Sequence, residues 1–404
     1  MIGSLGCRIG ITATCGVLAI LACMPPAFAD STRDRQWHLA ALNITKAQKI
    51  SDGDGVTVAV IDTGVKADHR DLVGNLLPGF DFIANDTKGW VDDNGHGTAM
   101  AGIIAGHGHG PGHADGTLGV APAAKILPIR VLDATDRPSL DIPKAIDKAV
   151  SQGVGVISMS FVTTNSDDLD RALDNAAKAD VVLVAGSGNR PENVLVQYPA
   201  KYPRVVAVGA TGRNGGLSKV SVTGEELAIT APGDDIATTS NTGAYREADG
   251  TSNSTAIVAG AAALVRAEFP ELSASEVVHR LTATATDKGP PGRDSDYGFG
   301  ELNLVAALTA DVPAASGQPS VAASASVAGT SAAGVPLGGS AVRVDWVAVG
   351  VVLAVAGLFV VLVVALSVWL VVRSRRRRRA LSGLSGGGAW RSPEQRGGES
   401  YRDP

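Results

Sequence analysis

The sequence predicts an α/β fold, a parallel twisted sheet with helices on both faces, with a single transmembrane helix appended toward the C-terminal end. Three observations lead there. Short apolar runs rich in Val and Ile show no clean polar alternation, as expected of strands covered on both faces. Amphipathic stretches interleave with them, the pattern of crossover helices joining parallel strands. A separate run over residues 347–372 is apolar apart from Ser367. At about 1.5 Å of helix rise per residue it exceeds the roughly 30 Å of a bilayer core.

Residues 1–29 read as a signal peptide. Arg8 supplies the charged start, residues 9–24 are mostly apolar, and Ala27-Phe28-Ala29 offers a small-x-small cleavage site. Lipid attachment at Cys23 is the rival reading, and Leu21 fits a lipobox poorly. Cleavage after Ala29 would remove Cys7, Cys15 and Cys23, the chain's 3 cysteines, leaving neither a disulfide nor a thiol nucleophile. Residues 30–49 are expected to form an N-terminal arm lying on the surface of a folded domain at 50–310, which is long enough for one large core.

Within that domain, strands are expected at 56–61, 126–132, 154–159, 181–185 and 205–208. Helices are expected at 98–105, 142–152, 169–179, 252–268 and 274–283. Asp62 then stands at the carboxyl end of the first strand, where parallel sheets gather their ligands. Residues 311–342 are rich in Ala, Ser, Gly and Pro without an aromatic residue, the composition of a flexible linker. The transmembrane helix is assigned to 343–373 and an Arg-rich tail to 374–404. Arg373 and Arg375 to Arg379 mark the cytoplasmic side by the positive-inside rule, which puts the 50–310 domain on the extracellular side. The whole chain carries a net charge of −5 although its last 32 residues are strongly basic. The folded domain is therefore acidic, which disfavours polyanions, and no nucleic-acid partner is expected.

Chemistry concentrates in three short segments. Ser252 lies in Gly250-Thr251-Ser252, directly ahead of a small-residue apolar helix. A serine hydroxyl is a weak nucleophile without a base and an acid that orients the base. His96, in Asn94-Gly95-His96-Gly97-Thr98, and Asp62, in Val60-Ile61-Asp62-Thr63-Gly64, supply both. Asp, His and Ser in that chain order are one known arrangement of a hydrolase triad.

Six ordered blocks between about residues 48 and 308 extend the pattern: VAVIDTGV, NGHGTAMAGIIAG, LGVAPAAKILPIRVLD, the AGSGN segment, YPAKYPRVVAVGA and DGTSNSTAIVAGAAALVRAEFP. With them the chain resembles the subtilisin-like serine proteases, the subtilases. That resemblance implies catalytic roles for Asp62, His96 and Ser252, and an oxyanion-stabilising side chain at Asn189. It also implies substrate-binding strands at Ser160, Phe161 and Val162 and at Gly186, Ser187 and Gly188. Peptide bonds of polypeptide substrates are the implied target.

Departures from the family pattern are local. Asn253, Ser254 and Ala256 stand where the family usually has Met, Ala and Pro, and Asn253 bears on the leaving-group side. Val162 and Thr163 replace a Gly pair in the substrate-binding strand, so Val162 is expected to narrow the wall for the residue before the cut. The resemblance also implies a cis bond at Tyr198-Pro199. About 30 residues separate Asp30 from Asp62, too few for a folded pro-domain. That shortness, with the C-terminal span, resembles the mycosins, membrane-anchored subtilases of type VII secretion systems. The likeness implies the membrane and the type VII secretion machinery as partners.

Other candidates carry less. His69 matches a structural position of the family. His107, His109 and His113 lie in a Gly-rich stretch without a fixed ligand geometry, so no metal is expected there. The acidic stretch from Asp81 to Asp93 lacks a recognisable calcium spacing. No cofactor is expected, and calcium is left open. Two alternatives stand beside the protease: a catalytically silent scaffold of a secretion complex, and an esterase using the same triad.

Overall fold

The computed structural model describes residues 32–313 apart from Thr87. The signal peptide at 1–29, nearly all of the linker, the span at 343–373 and the tail at 374–404 lie outside the described residues. In chain order, α1 (Thr32–Arg35), α2 (Trp37–Ala41) and α3 (Ile44–Ala47) precede β1 (Thr57–Asp62) and β2 (Phe80–Asp81). Helix α4 (His96–Ala105) leads into an antiparallel pair, β3 (His107–His109) and β4 (Asp115–Leu118). Then come β5 (Lys125–Arg130), α5 (Ile142–Ser151), β6 (Val156–Met159), α6 (Asp167–Lys178), β7 (Val182–Gly186) and β8 (Val206–Thr211). Strand β9 (Leu227–Pro232) is followed by the hairpin of β10 (Ile236–Thr239) and β11 (Tyr245–Ala248). Helices α7 (Thr251–Glu268), α8 (Ala274–Ala283) and α9 (Leu304–Thr309) complete the described chain.

Seven strands form one sheet in the order β2-β5-β1-β6-β7-β8-β9, and every pairing in it is parallel. Alternate side chains of each strand enter different cores, as a two-residue period requires. Val58, Val60, Val156, Val182, Val184 and Val208 meet α4, α7 and α8 on one face. Ala59, Ile61, Ile157, Leu183, Ala185 and Ala207 meet α5 and α6 on the other. Both predicted layers of helix are present. Among the described residues no helix is long and apolar enough to cross a membrane.

The sheet places the site through its connectivity. From β1 the chain adds β2 and β5 on one side, then crosses to β6 on the other. The carboxyl end of β1 is thus a topological switch point, and crevices open at such places. Asp62 is its last residue. Helix α7 runs through the adjoining core with 14 residues buried from Thr251 to Val265. Its Ala and Gly content allows that depth: a Cβ at Gly260 would come within 2.7 Å of the Val120 Cβ.

The five predicted strands and five predicted helices are all present, with ends shifted by up to three residues. Helix α8 keeps its expected limits because Ser273 and Glu276 form a capping box. Strands β2 and β9 and the two hairpins were not predicted. They are short or interrupted by Thr, Gly and Asp, so neither period is sustained long enough to register.

The arm packs on the domain along residues 32–47. Gln36 exchanges hydrogen bonds with the backbone of Leu118 at 2.9 and 3.0 Å, and Trp37 Nε1 donates to the Asp234 carbonyl at 2.9 Å. His38 is fully buried with neither ring nitrogen hydrogen-bonded, and burial pushes its pKa down to about 3. The unfolded chain takes up a proton below about pH 6.5 that the folded arm refuses, so stability falls as pH drops from 6.5 toward 3. Between pH 7 and 4 the loss from this group alone should approach roughly 3 kcal/mol at one pKa unit per 1.4 kcal/mol. A His38→Leu chain is expected to flatten that acid slope, read by urea unfolding at both pH values; an unchanged slope would remove His38 from the account.

Candidate active site

Strand β1 ends at Asp62, which is fully buried. Its Oδ1 accepts the Thr63 backbone N–H at 2.7 Å and meets His96 Nδ1 at 2.8 Å. Among the described residues, Asp62 Oδ2 has no hydrogen-bond partner. His96 opens α4, and the helix start is held by a residue that sequence reasoning passed over. Asp92 accepts the N–H groups of Gly95 (2.7 Å) and Thr98 (2.9 Å) and the hydroxyls of Thr63 (2.8 Å) and Thr98 (2.5 Å). A carboxylate there satisfies free helix amides and complements the helix dipole. Thr63 Oγ1 in turn accepts the Gly97 N–H at 2.9 Å. Gly97 lets α4 close on β1, since a Cβ there would fall 2.1 Å from the Gly64 carbonyl oxygen.

The signal for Asp92 was present in the sequence. An Asp a few residues before a helix is an N-terminal cap candidate, but it was read as part of an acidic stretch. The other acids of that stretch are also engaged. Arg130 bridges Asp81 at 3.2 Å and Asp93 at 2.9 Å, and Asp81 accepts the N–H groups of Ile83 and Ala84 at 2.8 Å.

Burial disfavours a charged His96 ring, but the field of Asp62 and its hydrogen bond outweigh that penalty. The His96 pKa therefore lies above the ordinary histidine value. Asp136 adds to the rise and Arg246 opposes it.

Ser252 is the second residue of α7, whose N-cap is Gly250 at φ 154°, a backbone conformation that L side chains rarely adopt. Ser252 Oγ donates to the Ser160 carbonyl oxygen at 3.2 Å. Ser160 Oγ returns a bond of 3.2 Å to the Ser252 carbonyl. No hydrogen bond joins Ser252 to His96, although both line one cleft of about 360 Å³.

Asn189 faces the same cleft from beyond the end of β7. Its Oδ1 accepts the Thr251 N–H at 2.9 Å and the Thr251 hydroxyl at 3.1 Å. An amide N–H can only donate, so that contact fixes which end of the Asn189 carboxamide faces α7. Its Nδ2 donors are left for the cleft.

The remaining predicted residues divide. Phe161, Val162, Gly186 and Gly188 line the cleft, as does Ser160. Val162 is 40% exposed. Ser187 does not reach it: its side chain is fully buried and donates to the Val222 carbonyl at 2.8 Å. Ser187 lies one residue beyond β7, where its hydroxyl is held by a segment distant in sequence. Asn253 is 3% exposed and donates to the carbonyls of Gly233 (3.1 Å) and Ala248 (2.8 Å), tying the β10–β11 hairpin to α7. The Tyr198-Pro199 bond is cis.

The histidines set aside lie elsewhere. His69 is buried and bonded to the Ala244 carbonyl at 3.0 Å. His109 pairs with Asp71 at 2.6 Å, and His107 bonds the Val73 carbonyl at 2.9 Å. Among the described residues no three His, Cys, Asp or Glu side chains form a metal-holding group.

Comparison with known proteins agrees with the geometry. The subtilase family model, Peptidase_S8, matches residues 53–300. Subtilisin DY of Bacillus licheniformis is 37% identical over 274 residues, covering 65% of this chain and 96% of that protein. Subtilisin E of Bacillus subtilis (strain 168) is 38% identical over 260 residues, 63% of this chain and 66% of its own length. Among solved structures, MycP1 from Mycobacterium smegmatis superposes with a TM-score of 0.61 at 32% identity, covering 72% of this chain and 88% of that one. MycP1 from the ESX-1 type VII secretion system gives 0.62 at 31%, with the same coverage. By its sequence blocks, its sheet and these matches, the chain belongs to the subtilase family, is most like the mycosins within it, and is a subtilisin-like serine endopeptidase.

Proposed function

We propose that this endopeptidase cleaves secreted or cell-envelope polypeptides at the outer face of a membrane, with Ser252 as its nucleophile. An extended substrate lies along residues 160–162 and displaces the Ser252 hydroxyl from the Ser160 carbonyl toward His96. Nε2 of His96 takes the Oγ proton as Oγ attacks the scissile carbonyl. Asp62 keeps Nδ1 protonated and stabilises the imidazolium. The developing oxyanion is held by the Asn189 side-chain amide and by the Ser252 N–H, a second-position helix amide without an intrahelical acceptor. His96 then protonates the leaving amine, and a water activated by the same ring hydrolyses the acyl-enzyme. The orientation of Asn189, with its donors turned into the cleft that Ser252 and His96 share, carries this reading over that of an inert scaffold.

One observation favours the scaffold, namely the Ser252 hydroxyl bonded to Ser160 rather than to His96. Fluorophosphonate labelling of the full-length, detergent-solubilised chain separates the two, with Ser252→Ala as control. The protease labels at Ser252; the scaffold does not label at all.

The anchoring and secretion role rests on the apolar run at 347–372, the arginines after it and the likeness to a MycP1 from a type VII secretion system. Proteins trimmed or shed differently in a Ser252→Ala strain, identified by mass spectrometry, test it; an unchanged envelope proteome would sink it. Specificity follows from Val162. Small or slender side chains are expected before the cut, and Val162→Gly should raise kcat/KM for an aromatic residue there about tenfold, the scale of one or two methylenes in a pocket. A wild-type library profile dominated by aromatic residues would overturn this.

A further inference from the structure

Of the charged side chains lining the cleft, Asp136 and Arg246 carry opposite signs and, among the described residues, take no partner. Asp136 sits in the turn after β5 at φ 60°, a left-handed conformation that Asp tolerates better than most residues. Asp133 builds that turn, its Oδ1 accepting the N–H groups of Thr135 (2.7 Å) and Arg137 (3.1 Å). The Asp136 carboxylate is exposed and, among the described residues, takes no hydrogen bond or ion pair. It lines the cleft together with Leu132, Phe161 and Val162, and Val162 is the residue assigned above to the wall before the cut.

Arg246 belongs to β11, opposite Thr238, and both line the cleft. Its neighbours along the strand turn away, as alternation requires. Tyr245 packs edge-on against His69 with ring centroids 5.8 Å apart, and Glu247 pairs with Arg213 at 3.6 Å. The guanidinium of Arg246 has no such partner among the described residues. Its strand ends at Ala248, whose carbonyl holds Asn253, the residue that the subtilase resemblance puts on the leaving-group side. Both charges act on His96, one favouring and one opposing its protonated form.

Resting on the endopeptidase reading above, we propose that the cleft is electrically polarised: Asp136 selects a cationic side chain before the cut and Arg246 an anionic one after it. Two further exposed acids line the cleft: Glu192, beside Asn193, and Asp249, whose Oδ1 accepts the Asp235 N–H at 2.7 Å. The preferred substrate is a segment with Lys or Arg among the few residues before the scissile bond and Asp or Glu among the few after it. An extended peptide advances about 3.3 Å per residue, so one short segment meets both charges. Because both groups contact solvent, each contributes modestly and is screened by salt.

The test scans Lys, Gln and Glu through the four positions on either side of the cut in a neutral peptide that the full-length enzyme cleaves. At the most responsive positions, the peptide with Lys before and Glu after is expected to exceed its charge-reversed counterpart in kcat/KM by about tenfold or more at low salt, less at high salt. Asp136→Asn should collapse the Lys-to-Glu ratio before the cut and leave the ratio after it. Arg246→Gln should do the reverse. Ratios near one at every position in the wild type, or ratios that neither substitution moves, overturn the polarity while the neutral peptide is still cleaved. Failure to cleave any peptide together with absent fluorophosphonate labelling overturns the endopeptidase reading, and the polarity with it.

Discussion

An Asp62→Asn enzyme is expected to lose about ten-thousandfold in kcat with little change in KM, the scale of a triad whose base is in the wrong tautomer or lacks its counter-charge. The geometry leaves the new amide no good choice. Asp62 Oδ1 serves both the Thr63 N–H and His96 Nδ1, while Oδ2 is buried without a partner. If the amide oxygen keeps the Oδ1 place, the His96 tautomer survives. Its NH₂ group is then buried without an acceptor, and no negative charge is left to stabilise the imidazolium. If the amide flips, its N–H groups face both Thr63 N–H and Nδ1, and the ring must carry its proton on Nε2. A ring protonated there cannot take the serine proton.

The pH profile gives a second readout of the same substitution. In the proposed mechanism His96 acts as a neutral base, so kcat/KM is expected to be lost as pH falls through the pKa of that ring. In the wild type the limb should lie above the ordinary histidine range, because Asp62 outweighs burial. With Asn at position 62, burial is no longer outweighed and the limb should move to lower pH. A limb that stays in place would show that the group titrating in the rate is not His96.

How much of this was legible in the sequence depends on how local each signal is. The strands around Asp62 and Asn189 are apolar β-branched runs and were found within a residue or two. Helix α8 announced itself through Ser273 and Glu276. By contrast, β9 and the β10–β11 hairpin owe their structure to tertiary contacts, such as the bonds from Thr238 and Thr239 to the carbonyls of Ala99 and Thr98 (2.9 and 2.6 Å). No short window of sequence carries that information. Ser187 is a similar case: its hydroxyl is turned from the cleft by the Val222 carbonyl, a contact distant in sequence. Asp136 and Arg246 lay outside every assigned strand and helix, and only their place in the cleft with His96 distinguishes them.

Asn189→Asp is the substitution that separates the two things this side chain does. Its Oδ1 satisfies the Thr251 N–H at the start of α7, where Gly250 offers no side-chain cap. Its Nδ2 is the proposed oxyanion donor. Aspartate keeps the acceptor and places a negative charge at a helix N-terminus, which the dipole favours. The variant is therefore expected to unfold at a temperature no lower than the wild type. It also replaces a donor by a carboxylate facing the oxyanion, so kcat should fall by at least the 10²–10³ typical of a lost oxyanion donor, about 3–4 kcal/mol. Asn189→Ala removes both functions, and should show a similar rate loss together with about 1 kcal/mol less stability from the uncapped helix. Thermal unfolding and peptide hydrolysis measured on the two variants distinguish the roles. If Asp at position 189 kept wild-type kcat, the negative oxygen would not sit where Asn189 points; if Ala lost rate without losing stability, α7 would draw its cap from elsewhere.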